Sequence, residues 1–223
     1  MNKIDLTSKI ASNPLFLTAF THRSFLNESP DVKESNERLE FLGDSVLSLI
    51  VSTELFHLRP NDAEGDLTNL RSFIVKTTSL AKAAQLLGLG EHLRLSKGEE
   101  MGGGRENTQL LANTFEAFLG AIFLVEGLER AKQFVFETLL PLFEQELKSG
   151  PPKDAKSSLQ ELAQTKTKQS PKYKILATIG PDHAKEFKVG VFLQGEQIGE
   201  GEGSSKQIAE EAAATNALKS LNP

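Results

Sequence analysis

Residues 110–125, LLANTFEAFLGAIFLV, are apolar around most of a helix's circumference, and this constrains the fold more than any other stretch of the chain. A helix with so little polar surface has no face to offer solvent, so it belongs inside a bundle with neighbours on several sides. It carries one carboxylate, Glu116, whose burial without a partner would be expensive. Asn113 lies three residues earlier on the same face, and the small residues Ala117 and Gly120 leave room for an approaching helix or ion. A Lys or Arg partner and a metal ion are the two ways to compensate Glu116.

A second helix, residues 36–50 (NERLEFLGDSVLSLI), offers the other half of such a site. At 3.6 residues per turn, Glu37, Glu40 and Asp44 fall within a sector of about 60°. Leu39, Leu42, Val46, Leu49 and Ile50 centre on the opposite face. The acids form either a solvated face or one wall of a metal site. The oxygen donors of Glu40, Asp44, Asn113 and Glu116 suit Mg²⁺, or Mn²⁺ in its place, rather than zinc. Phe41 sits on the acidic flank and needs cover, from a loop of its own chain or from a second subunit.

The chain has no cysteine, which excludes disulfides, zinc-thiolate centres and cysteine nucleophiles. No apolar run approaches the ~20 residues of a bilayer span, and the opening MNKIDLTSKI lacks a hydrophobic signal core, so no membrane association and a cytoplasmic location are expected. The net charge of −5 argues superficially against a nucleic-acid partner, but the acids are unevenly placed: residues 153–223 carry 10 Lys against 9 acids, leaving 15 basic and 21 acidic residues before them. P-loop, dinucleotide-binding and nucleophilic-triad signatures are missing. Glu64 opens EGDLTNLRSFIV, where an acid in the first turn favours the helix macrodipole, and Arg38, Arg71 and His22 read as ion-pair or core partners.

Residues 6–147 repeat apolar positions at helical spacing throughout, predicting an all-α domain over 1–147. Thr77, Thr78 and Ser79 offer an N-cap, Gly88 and Gly90 close a segment, and residues 101–104 (MGGG) form a loop. Residues 148–154, KSGPPKD, read as a linker. Beyond it, 155–223 form a second domain in the order αβββα: helix 155–164, strands 172–179, 186–193 and 196–201, and helix 205–221, with turns at Gly180-Pro181 and Gln194-Gly195.

The stretch NERLEFLGDSVL closely resembles the signature of ribonuclease III. The similarity continues through LTAFTHRSFLNE at 17–28, EGDLTNLRS at 64–72 and LANTFEAFLGAIF at 111–123, and so covers the whole helical domain. Residues 155–221, ending in GEGSSKQIAEEAAATNAL, resemble the double-stranded RNA-binding domain of bacterial members. The resemblance implies an all-α endonuclease domain followed by a small α+β RNA-binding domain, acting together as a Mg²⁺-dependent homodimeric endoribonuclease specific for double-stranded RNA. It assigns Glu40, Asp44 and Glu116 to the metal and Glu37 and Glu64 to the substrate and cleavage-site surroundings. Phe41 becomes the knob that enters a cavity on the other subunit. The family activates a water against a phosphodiester and leaves a 5′-phosphate and a 3′-hydroxyl. Two subunits cut both strands with a short 3′ overhang, in rRNA processing and the maturation or decay of structured transcripts. Gln160, Glu161 and His183 would reach 2′-hydroxyls in the minor groove, and Lys206 the phosphates across the major groove.

Two departures stand out. Asn113 occupies a position where the family usually has Asp, which removes one formal charge and implies weaker hold on a divalent ion. In the closing helix Lys206 is followed by Gln207 and soon by Glu210 and Glu211, where the family usually has further lysines, which implies weak RNA binding by this domain. The alternative reading is a catalytically weakened double-stranded RNA-binding regulator. A metalloenzyme for small phosphorylated molecules would leave the αβββα domain without a purpose.

Overall fold

Helical spacing carries through the first part of the computed structural model, which describes residues 6–150, 154–181 and 185–221. Contacts divide the chain into two units, Met1–Pro151 and Pro152–Pro223. The first contains α1 (Leu6–Ser12), α2 (Pro14–Ala19), α3 (Arg23–Leu26), α4 (Glu37–Leu58), α5 (Glu64–Val75), α6 (Thr77–Leu86), α7 (Lys97–Met101), α8 (Thr108–Glu126), α9 (Leu128–Thr138) and α10 (Glu144–Ser149). Short 3-10 turns lie at Leu89–His92, Gly104–Glu106 and Leu140–Phe143.

The apolar helix α8 is central, as its composition requires. Asn107 caps it, its Oδ1 accepting the N–H groups of Gln109 (2.9 Å) and Leu110 (3.2 Å). Its Phe115 and Phe118 are fully buried and meet Phe16, Phe20 and Phe134 at ring-centroid distances between 5.2 and 5.7 Å. Such pairs contribute roughly 0.5–1.5 kcal/mol each beyond the area they bury. The broadest helix contact is α4 against α8, and glycine makes it close. A Cβ on Gly43 would stand 1.8 Å from the Glu116 carbonyl oxygen, and one on Gly120 would stand 2.4 Å from that of Leu39. The two backbones therefore touch where no other residue fits.

Several expectations are corrected. Leu49 does not belong to the core stripe of α4: it is 55% exposed, and the buried positions are Leu39, Val46, Leu47, Ile50, Val51 and Leu55. The neighbours of α4 cover a sector rotated away from Leu49, which spacing within one helix cannot reveal. Thr77 starts α6 rather than capping it, and the Ser79 hydroxyl donates to the Phe73 carbonyl at 2.9 Å, tying down the end of α5. Helix α10 runs to Ser149, into the stretch expected as linker, and ends at Gly150 with φ +84°. Helices α4 and α8 are, contrary to expectation, long and apolar enough by length and composition to cross a bilayer. Here they pack on each other with carboxylates beside their crossing. The loop expected over 101–104 shrinks to Gly102 and Gly103 (φ +81°), since Met101 ends α7 and Gly104 begins a 3-10 turn.

The second unit comprises α11 (Ala155–Thr167), β1 (Lys172–Ile179), β2 (Glu186–Leu193), β3 (Glu196–Gly203) and α12 (Lys206–Leu221), with an antiparallel sheet in the order β1-β2-β3. The first two strands match the expected bounds, while β3 extends two residues further. Gln194 (φ +54°) and Gly195 (φ +92°) make the two-residue turn between β2 and β3, both in the left-handed region such hairpins favour. A small core of Leu159, Val191, Ala213, Ala214 and Ala217 lies under the helices. Glycine again permits close approach: a Cβ on Gly201 would meet the Ala213 nitrogen at 2.2 Å, and one on Gly199 would lie 2.7 Å from the Ala213 carbonyl oxygen.

Candidate active site

The Gly43–Gly120 contact sets side chains of α4 and α8 around one cleft of about 640 Å³. It is lined by His22, Arg23, Asn36, Glu37, Glu40, Phe41, Asp44, Asn113 and Glu116. Glu40 and Asp44 flank Gly43 on α4, and Glu116 is the residue whose carbonyl Gly43 touches. The crossing thus brings together carboxylates 72 residues apart in sequence.

Burial and neighbouring carboxylates raise the proton affinity of Glu116 and Glu40. Burial, then Asp44 and Glu40, push the Glu116 carboxyl up to about 8. Burial, then Glu37 and Asp44, also hold Glu40 above the ordinary carboxylate value. Among the described residues no ion pair neutralises Glu40, Asp44 or Glu116, so the Lys or Arg partner considered for Glu116 is not found. Neutral oxygen chemistry and uncompensated negative charge fit a hard divalent cation, which Glu40, Asp44 and Glu116 would hold. Among the described residues no three His, Cys, Asp or Glu side chains stand close enough together to hold one ion as they are placed; the acids line an open cleft and would have to draw together around it. Asn113 lies on its wall, with its Oδ1 accepting from Gln109 Nε2 at 2.7 Å.

Glu37 is exposed and doubly engaged, accepting from the Ser35 hydroxyl (2.9 Å) and pairing with Arg23 (3.5 Å). Glu64 is outside the residues lining the cleft: it begins α5 and accepts from the Thr68 hydroxyl at 2.9 Å. Phe41 lines the rim and is 78% exposed, so no loop of its own chain covers it. Arg38 forms an exposed pair with Glu34, and Arg71 donates to Ser52 Oγ at 3.0 Å; neither lines the cleft.

Arg23 and Asn36 are cleft residues that sequence spacing did not single out, and His22 is one it read as an ordinary partner. All three arrive through a backbone weave. Asn36 N–H donates to Thr21 O (2.8 Å), His22 N–H to Arg94 O (3.1 Å) and Arg94 N–H to Phe20 O (2.8 Å). The run THRSF carried the signal, but no periodicity within it points to a cleft.

In the second unit Gln160 is exposed on α11 and lines a groove with Ser157, Gln207 and Ile208. Glu161 is likewise exposed, and Lys206 begins α12 with its Nζ 6.0 Å from the Phe187 ring centre. His183 lies outside the described residues. The two acids of α12 that seemed hostile to RNA have structural partners: Glu211 accepts the N–H groups of Ala155 (2.5 Å) and Lys156 (3.4 Å), and Glu210 pairs with Lys156 Nζ at 2.6 Å.

Comparison with known proteins agrees with this architecture. A family model described as Ribonuclease-III-like matches residues 12–142, and one for the double-stranded RNA binding motif matches 155–221. Ribonuclease 3 of Streptococcus gordonii is 45% identical over 214 residues, 93% of this chain and 90% of that protein. Ribonuclease 3 of Streptococcus agalactiae is 46% identical over 212 residues, 95% and 92% of the two chains. The nuclease domain of Campylobacter jejuni ribonuclease III is 40% identical, with a TM-score of 0.56, over 64% of this chain and 99% of that one. With the carboxylate cleft in one unit and the RNA-binding fold in the other, the chain belongs to the ribonuclease III family of metal-dependent nucleases and is a double-stranded RNA endoribonuclease.

Proposed function

We propose that this endoribonuclease uses Mg²⁺, with Mn²⁺ able to replace it, held by Glu40, Asp44 and Glu116 with Asn113 beside them. The observation that carries this reading is that three carboxylates line one cleft with no cationic partner among the described residues, one of them pushed up to about 8. A bound divalent ion supplies an activated water and charge for the leaving oxygen. The chain's residues do the rest. Glu116 and Asp44 orient the reacting groups, Glu37 and Glu64 serve the surroundings of the scissile phosphate, and the buried wall of α8 keeps bulk water from one side of the cleft. The products carry 5′-phosphate and 3′-hydroxyl ends.

Two copies act together in this proposal. Phe41 is the dimer contact, and with Leu49 and Phe56 it forms an exposed apolar strip along one side of α4. One of the Campylobacter jejuni nuclease-domain structures concerns flexibility in a region involved in dimer formation. Replacing Phe41 with Ala leaves the fold intact and shifts sedimentation from dimer toward monomer. In the second unit Gln160, Glu161, His183 and Lys206 contact the duplex by its shape. The substrates are rRNA precursors and structured transcripts, and the enzyme works in the cytoplasm, where those transcripts fold.

Incubating duplex RNA with the protein in Mg²⁺, Mn²⁺ or EDTA tests the reading. Metal-dependent cuts on both strands support it. Binding without cleavage in either metal would instead favour the regulator, a reading prompted by Asn113, whose amide oxygen is already engaged by Gln109.

A further inference from the structure

An acidic cleft is a poor receiver for RNA, because Glu37, Glu40, Asp44 and Glu116 repel the phosphate that must enter it. Arg23 and His22 are the basic side chains among those lining this cleft. Both precede the carboxylate helix α4 in the chain. We infer that Arg23 grips the RNA phosphate in the cleft, exchanging Glu37 for the phosphate, and that the His22 Nε2–H is the neutral donor beside it. The inference rests on the phosphodiester-cleaving reading above.

The geometry supports an exchange. The Arg23–Glu37 contact is long, 3.5 Å, and the Arg23 side chain is 73% exposed, so the pair contributes little to stability and is given up easily. A guanidinium presents paired N–H donors to a phosphate, which the single 3.5 Å contact with Glu37 does not fully use. Holding Arg23 beside Glu37 when RNA is absent keeps the cation at the cleft mouth rather than free in solvent.

His22 is fixed for a donor role by a relay from another part of the chain. Ser96 N–H donates to Ser24 Oγ at 3.0 Å, and that hydroxyl stands 2.8 Å from His22 Nδ1. Ser24 N–H donates to that nitrogen, at 3.3 Å. With Nδ1 accepting, the ring proton resides on Nε2. The imidazole then offers an N–H without adding charge.

The two roles separate by salt dependence. Steady-state cleavage of duplex RNA by the full chain in Mg²⁺, measured across a range of salt, gives KM, kcat and the slope of log kcat/KM against log salt. Arg23→Ala raises KM about tenfold and reduces that slope by roughly 0.7–0.9, the contribution of one phosphate contact. Arg23→Lys restores the slope and only part of the KM. Glu37→Gln lowers KM in the wild-type chain and lowers it less in Arg23→Ala, where its repulsion of the phosphate is relieved but no competition for Arg23 remains. His22→Ala raises KM without changing the slope, and His22→Gln, which keeps a donor, recovers it. Thermal melts at the wild-type temperature exclude misfolding for the exposed Arg23 variants. Unchanged KM and salt slope in Arg23→Ala overturn the inference while wild-type cleavage, and so the function, stands. A wild-type chain that cuts no duplex RNA in Mg²⁺ or Mn²⁺ overturns the function and the inference together.

Discussion

The cleft of the first unit and the surface of the second treat acidic side chains in opposite ways. In the second, Glu200 and Glu202 share Lys188, Glu210 holds Lys156, and Glu211 caps α11. Asp154 caps the same helix: the Ser157 N–H it accepts, at 2.8 Å, holds its carboxyl below the usual range. In the first unit Glu40, Asp44 and Glu116 lean on one another instead, and burial pushes Glu116 up to about 8. Charge that is settled internally marks a scaffold; charge left unsettled beside a cleft marks the place where an external cation completes the structure. Net charge alone hides this, since the whole chain averages to −5.

Removing the unsettled charge gives the largest effect. Glu116→Gln lowers the cleavage rate by on the order of a thousandfold and reverses sign in stability. A carboxyl raised in the folded state costs stability that is absent below its ordinary value of 4.5 and fully present above about 8. In EDTA, the melting temperature of Glu116→Gln therefore rises relative to wild type as pH increases through that window. Mg²⁺ stabilises the wild-type chain more at pH 8 than at pH 5 and does little for the variant. Equal metal-induced shifts in the two proteins would erase the contrast between the units.

Gly43→Ala comes next, because its Cβ would stand 1.8 Å from a carbonyl oxygen and the helices must separate. A loss of about 3 kcal/mol is expected from denaturant melts. Asn113→Asp sharpens the comparison from the other side by adding charge to the cleft: half-maximal cleavage then needs about tenfold less Mg²⁺, one unit of charge acting at close range. Saturation at the same Mg²⁺ concentration as wild type would place Asn113 outside the metal's reach. Smallest is Glu211→Ala, which removes the acceptor of the Ala155 and Lys156 amides while the Asp154 cap stays and lowers the stability of the second unit by about 1 kcal/mol; an unchanged hydrogen-exchange rate at Ala155 and Lys156 would contradict this role.

Sequence pattern was informative where one element's own residues decide the outcome. The bounds of β1 and β2 follow from alternation closed by turn residues, and the central place of α8 follows from its all-round apolarity. Glu40, Asp44 and Glu116 were legible because helical spacing puts each on a definite side. Leu49 was misjudged because the direction of a helix's neighbours is a property of the fold, not of the helix. Arg23 was missed because backbone hydrogen bonds of its neighbours, Thr21 O accepting from Asn36 and His22 N–H donating to Arg94 O, carry it to the cleft, and no periodic pattern does. The role of Glu211 was hidden for the same reason: the amides it caps are 56 and 55 residues away.

The contact at Gly43 and Gly120 is made by main chain, not by side chains. The close approach that holds the acidic cleft is consequently set by residues other than those at positions 37, 40, 44, 113 and 116, so a change at one of these leaves the Gly43–Gly120 contact in place. Differences in rate among such variants then report reactivity directly. A lineage could retune metal demand at Asn113 while the scaffold stayed fixed.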